Sequence, residues 1–214
     1  MGCLLGPALR AAPGSGRGRR RPLRATLIEQ HFELAGRRVA ILRPPSADEL
    51  IDEDSFDEDE FLPYWAELWA SGIALADVVP SLGVDGKRVV ELGAGLGLPS
   101  LAAALCGADV LATDWAQDAV ALLRANAKRN SIRLHAKRVR WDEPEALLRR
   151  VPWDVVLCAD VLYEQRNATQ LLELLPKLGG QIVLADPGRP FSNDFLAHWD
   201  VETLADGVYE LRLP

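Results

Sequence analysis

Short, unbroken runs of apolar and β-branched residues punctuate this chain: Val89–Leu92, Val110–Thr113, Val139–Trp141, Val155–Ala159 and Ile182–Ala185. Continuous runs of this kind, rather than alternation, mark strands buried on both faces, as in a parallel sheet. Helix-length stretches separate them at 97–106, 115–129, 143–150 and 164–178. A further helix is predicted from residue 63, where Trp65, Leu68, Trp69, Gly72, Ala76 and Val79 recur at helical spacing. Strand–helix alternation predicts an α/β doubly wound sheet. Val201–Leu204 and Val208–Leu213, joined by Ala205-Asp206-Gly207, predict a closing antiparallel hairpin. At the other end, residues 26–42 alternate apolar and polar around Ala35-Gly36-Arg37 and predict an N-terminal β-hairpin of Thr26–Phe32 with Arg38–Leu42.

Composition divides the chain further. Its 214 residues suit one domain with a tail. Residues 1–25 are rich in Arg, Gly, Pro and Ala and are expected to be disordered. They read as a non-functional extension, as a mitochondrial presequence, or, with Gly6 where Ser or Thr is wanted, as a poor myristoylation signal at Gly2. Residues 26–62 hold the hairpin and an acidic loop with nine acids between Asp48 and Glu60, and residues 63–214 form the main domain. That acidic run reads as a solvated loop or as a collar for a basic substrate. The net charge is −7, yet the first 28 residues carry six arginines and no acid. What remains has 18 basic against 31 acidic residues. So acidic a body is a poor general binder of nucleic acid and suits a basic or neutral partner. No apolar run reaches the length of a membrane span, so no membrane partner is expected. Cys3, Cys106 and Cys158 are too scattered for a disulfide framework, and His31, His135 and His198 share no metal-ligand spacing. No metal is expected, and a reducing, cytoplasmic setting is, with a mitochondrial one as the alternative.

The chemistry concentrates where strands turn into helices. Val89-Val90-Glu91-Leu92-Gly93-Ala94-Gly95-Leu96-Gly97 ends one strand and opens a helix. Its glycines allow a tight turn and close approach of a ligand to the backbone. Asp114 ends the next strand, where a carboxylate can accept both hydroxyls of a ribose. A nicotinamide dehydrogenase shares this logic but spaces its glycines G-x-G-x-x-G. Here the spacing is G-x-G-x-G and an acid, Glu91, precedes it, which suits a cationic ligand better than a pyrophosphate. Trp141 is expected to end the third strand and to flank an adenine, with Trp115 the alternative. Trp153 and Trp199 read as packing residues. Ala159-Asp160-Val161-Leu162-Tyr163 places an acid directly after an apolar strand.

The glycine turn with its acid and Asp114 resembles motif I of the class I, seven-β-strand S-adenosylmethionine-dependent methyltransferases. Asp160-x-x-Tyr163 is similar to the motif of their protein lysine methyltransferase branch. Pro63-Tyr64-Trp65-Ala66-Glu67-Leu68-Trp69 looks like that branch's aromatic segment before motif I. Asp186-Pro187-Gly188-Arg189 is similar to the electron-transfer-flavoprotein β-subunit lysine methyltransferases. The resemblance implies a Rossmann-like seven-stranded sheet with an antiparallel C-terminal hairpin, and S-adenosylmethionine as cofactor. It assigns Trp69, Gly93, Ala94, Gly95, Asp114, Trp141 and Ala159 to the cofactor, with Gly97 and Trp115 beside them. Glu91 would support the cofactor's methionine end or the loop that holds it. Asp160 and Tyr163 fall to the acceptor side, where Asp160 would bind and orient an incoming lysine ammonium. The expected partner is a protein presenting a lysine to a monomeric enzyme. A small-molecule amine methyltransferase and a non-catalytic cofactor-binding protein are the alternatives.

Overall fold

Hydrogen bonding along the chain divides it into nine strands and six α-helices within residues 26–50 and 63–214, which the computed structural model describes. The expected tail 1–25 and the acidic segment 51–62 lie outside the described residues. A hairpin comes first, β1 (Ile28–Leu34) and β2 (Arg37–Arg43). Ala35 and Gly36 at its tip both have positive φ, 48° and 73°, the turn geometry that matches the twist of the flanking strands. Short 3₁₀ turns at Ala47–Leu50 and Tyr64–Ala66 lead to α1 (Ala70–Val78). Then β3 (Arg88–Leu92), α2 (Leu98–Leu105), β4 (Asp109–Asp114), α3 (Gln117–Arg129) and β5 (His135–Arg138) build one half. After α4 (Glu145–Leu148), the other half is β6 (Val155–Ala159), α5 (Gln165–Leu178), β7 (Gln181–Ala185), α6 (Ser192–Leu196), β8 (Asp200–Ala205) and β9 (Val208–Arg212).

Seven strands form one sheet in the order β5-β4-β3-β6-β7-β9-β8. β3 through β7 pair in parallel, while β9 runs antiparallel to both β7 and β8. The doubly wound sheet and its antiparallel closing hairpin are therefore as the apolar pattern predicts. Alternate residues of the central strands bury into opposite layers. Val89, Ala112, Leu157 and Val183 pack with Leu75, Leu101 and Leu123, whereas Val90, Leu111, Val156 and Ile182 pack with Leu171, Leu175 and Phe195. Two-sided burial is what the unbroken apolar runs encode. The strand order reverses between β3 and β6, which opens a crevice at their carboxyl ends.

Three expectations need correction. The third strand is His135–Arg138, not Val139–Trp141. It is an edge strand whose residues are exposed except Ala136, so it offers no apolar run to find. Val139 adds one more rung by donating its N–H to Asp114 O at 2.9 Å, and Trp141 then lies in the loop beyond. The helix expected from residue 63 starts only at Ala70. Glu67 and Trp69 are extended, and the Trp69 indole N–H donates to Tyr64 O at 2.9 Å, which folds the aromatic segment into a wall instead of a helix. The stretch 143–150 contains only one helical turn, α4.

The N-terminal hairpin is sutured to α3 by two amides one helical turn apart. Asn126 donates to Leu42 O and accepts from Leu42 N, at 2.9 and 2.8 Å. Asn130 does the same with Ala40, at 2.8 and 2.9 Å. These side chains satisfy the free edge of β2 as a neighbouring strand would. Leu34, Val39 and Ile41 complete the join by entering the same core as α1 to α3. Trp153 and Trp199 are buried, as expected of packing residues.

Candidate functional site

The turn after β3 is the floor of a cleft at the strand-order reversal. Gly93, Gly95 and Gly97 have φ of 67°, 50° and 75°, a region L side chains rarely adopt. Space enforces the same choice. A Cβ on Gly95 would press within 3.0 Å of Trp65 O, and one on Gly97 would collide with the Leu123 side chain. Gly97 then serves as the N-cap of α2. Ala94 N donates to Thr113 O at 2.8 Å, which fastens the turn to β4.

Two buried carboxylates hold this floor. Asp114 closes β4 and accepts from Gly95 N at 2.9 Å and from Ala116 N at 2.8 Å. Burial pushes its carboxyl up to about 6, against the opposing pull of backbone N–H groups. Glu91 accepts from Ser100 N at 2.9 Å, so it caps a free N–H in the first turn of α2. Burial pushes Glu91 up to about 8, with Ser100 opposing. Of the two expected roles, the geometry shows the second: Glu91 latches the loop to α2.

The walls come from three directions. The Trp141 indole lies beside Gly93, where a Cβ would sit 3.4 Å from its ring. Trp115 follows Asp114, and Ala159 ends β6. Trp69 stands opposite, its ring 6.2 Å from that of Tyr64 and tilted. All the residues singled out from the sequence, Trp69, Glu91, Gly93, Ala94, Gly95, Gly97, Asp114, Trp115, Trp141, Ala159, Asp160 and Tyr163, line this one cleft.

At its far side the chain leaves β6 through Asp160, whose φ of 56° is unusual for a residue with a side chain. Asp160 is buried, and its Oδ1 accepts from Arg189 Nε at 2.6 Å. The Arg189 guanidinium also lies 5.1 Å from the centre of the Trp69 ring. The Tyr64 ring joins this group, 5.2 Å from the ring of Tyr163. Burial raises the Tyr163 phenol above its ordinary value. A chain of contacts results: Asp160, Arg189, Trp69, Tyr64, Tyr163. Asp160 is expected to bind and orient an incoming ammonium, and here Arg189 already sits on its Oδ1.

Arg189 and Tyr64 are functional candidates that sequence spacing does not single out, although Tyr64 belongs to the aromatic segment and Arg189 to Asp186-Pro187-Gly188-Arg189. The Asp186 Oδ1 accepts from Gly188 N at 2.8 Å, from Arg189 N at 2.9 Å and from the Ser192 hydroxyl. That network shapes the loop so that Arg189 reaches back across β6. Among the described residues, no three His, Cys, Asp or Glu side chains cluster as metal ligands, and no helix is long and apolar enough to cross a membrane.

Comparison with known proteins agrees with this geometry. The description of the lysine methyltransferase family matches residues 57–184. The chain is 36% identical over 128 residues to protein N-lysine methyltransferase METTL21A of Danio rerio, covering 56% of this chain and 58% of that protein. It is 31% identical over 145 residues to the electron transfer flavoprotein beta subunit lysine methyltransferase of Homo sapiens, covering 64% of this chain and 54% of that protein. The chain thus spans little more than half the length of these curated relatives. Among solved structures, the 16S rRNA N2 G1207 methyltransferase RsmC of T. thermophilus, in complex with AdoMet and guanosine, superposes with a TM-score of 0.62. At 16% identity, over 89% of this chain and 51% of that one, this likeness speaks for the fold alone.

Proposed function

We propose that this chain, which belongs to the lysine methyltransferase family, transfers a methyl group from S-adenosylmethionine to the side-chain amine of a protein lysine. The observation that carries the reading is the joining of two halves in one cleft. The Gly93–Gly97 floor faces Asp160 and Tyr163, which leave the neighbouring strand β6. The relatives named as lysine methyltransferases support the same reaction, and the acidic body fits a basic acceptor.

The residues present fit the cofactor. The bare backbone of the glycine turn admits close approach, and Asp114 offers a buried carboxylate at the ribose position. Trp141 and Trp115 offer aromatic surface for a base. When bound, S-adenosylmethionine supplies a methyl carbon on a positively charged sulfur. The protein's own task is to place an amine against that carbon and to control the proton the amine carries. Asp160 and the ring of Tyr163 give the amine a polar and an aromatic contact.

The test is label transfer. The protein is incubated with tritiated S-adenosylmethionine and, separately, with recombinant electron transfer flavoprotein β subunit and with a host lysate, followed by mass spectrometry of labelled bands. The reading expects label on a lysine Nε of a protein band. Label confined to the small-molecule fraction, or none in any fraction, overturns it.

A further inference from the structure

Arg189 poses a chemical question that the transfer reaction alone does not answer. A lysine amine is protonated near neutral pH and attacks only as the free base. An isolated Asp160 would hold the charged form and raise the amine's pKa, which works against transfer. Asp160 is not isolated. Arg189 Nε lies 2.6 Å from its Oδ1, and the guanidinium is braced against the Trp69 ring at 5.1 Å. That bond engages Oδ1, one of the two carboxylate oxygens. The pair is fixed from below, because Asp186 orders the loop through Gly188 N, Arg189 N and the Ser192 hydroxyl.

We propose that Arg189 is a positioning residue that sets the protonation state of the acceptor amine through Asp160. Its permanent cation cancels the Asp160 charge and repels a second cation at the same place. Asp160 Oδ2 still accepts an N–H from a neutral amine and so aims the nitrogen lone pair. The incoming ammonium gives its proton to water. The freed lone pair then forms the N–C bond as the C–S bond breaks, and that electron pair stays on sulfur. This inference rests on the lysine methyltransferase reading above.

The surrounding groups leave the assignment to this pair. Asp186 lies under the Arg189 loop with Oδ1 fully used, while its buried Oδ2 has no partner among the described residues. Tyr64, from the segment before α1, lies near Arg189, and its ring meets that of Tyr163 from the loop after β6. On the remaining wall, Arg166 of α5 pairs with Glu164 at 2.6 Å, Glu67 accepts from Ala47 N, and Asp114 is bound into the floor. Asp160 with Arg189 is the ion pair at the start of this chain of contacts.

The experiment is a pH–rate profile for wild type, Arg189→Gln and Arg189→Lys with the acceptor protein labelled above, either the flavoprotein β subunit or the labelled lysate band. S-adenosylmethionine affinity is measured in parallel to confirm an intact cofactor site. Without the cation, the amine pKa rises and the acidic limb of kcat moves to higher pH by about one unit. At a fixed pH on that limb Arg189→Gln is then about 10-fold slower, recovers on the alkaline plateau, and shows a lower KM for the acceptor. Arg189→Lys keeps the charge and keeps the limb near its wild-type position. A loss in Arg189→Gln that is equal at every pH, or a limb moved to lower pH, overturns the inference and leaves the transferase reading standing. A wild type that labels no lysine overturns both.

Discussion

Between Glu91 and Ala116, one stretch of chain supplies the glycine turn, the first turn of the helix it feeds and both carboxylates that tie it down. Across the cleft, the acceptor side is assembled from three distant stretches: Tyr64, Asp160 with Tyr163, and Arg189, which braces against Trp69. The floor is fixed by backbone groups and buried acids, where little can move without loss of the fold. The acceptor side is fixed by side chains in mutual contact, where single substitutions change chemistry without touching the sheet. The proposed reading therefore separates binding from reaction, and variants on the two sides test that separation.

The largest effect falls on the acceptor side. Asp160→Ala removes the carboxylate proposed to orient the amine and takes from Arg189 its ion-pair partner, and kcat is expected to fall by about 100-fold or more. Initial rates of tritium transfer measure it, and a rate within a few-fold of wild type would remove Asp160 from the mechanism. Next comes the floor itself. Gly97→Ala combines a positive φ with a collision against Leu123, at an expected loss of about 2–3 kcal/mol in denaturant unfolding. An unchanged midpoint would mean the turn relaxes and the two sides are not so different.

A smaller effect separates binding from folding. Asp114→Asn is expected to weaken S-adenosylmethionine binding by about 10-fold, since a neutral amide is a poorer acceptor for hydroxyls. Because the Asp114 carboxyl is pushed up to about 6, wild-type affinity should climb as pH rises through that value, and the variant's should stay flat. Parallel pH profiles would dismiss the carboxylate's role.

The last effect concerns Glu91 and is read against pH. Its folded pKa of about 8 stands above the ordinary 4.5, so between these values the folded protein keeps a proton that the unfolded chain has released. Raising pH through this window therefore favours unfolding. Wild type should lose on the order of 1 kcal/mol or more of stability from pH 5 to pH 8, and Glu91→Gln should lose less. A steeper decline in the variant contradicts the latch.

The same contrast explains what the amino-acid order reveals. Gly93, Gly95, Gly97, Asp114 and Glu91 form a local pattern with fixed spacing, so the floor is legible before any coordinates, as are the apolar runs of β3, β4, β6 and β7. β5 escapes because an edge strand such as His135–Arg138 needs only one buried side chain. The helix expected from residue 63 fails because Trp69 bonds back to Tyr64 and Trp65 packs over Gly95, contacts made in space rather than along the chain. Arg189 stands 29 residues from Asp160, and no spacing rule joins them. Its loop is legible as Asp-Pro-Gly-Arg, but its target is not.

The division of labour across the cleft is tested most directly by calorimetric titration of S-adenosylmethionine into Asp160→Ala. A dissociation constant within about twofold of wild type, in a protein that no longer transfers methyl groups, is the expected result. A loss of affinity of about 10-fold or more, equal to that expected of Asp114→Asn, would show that the acceptor side also holds the cofactor and would contradict the account.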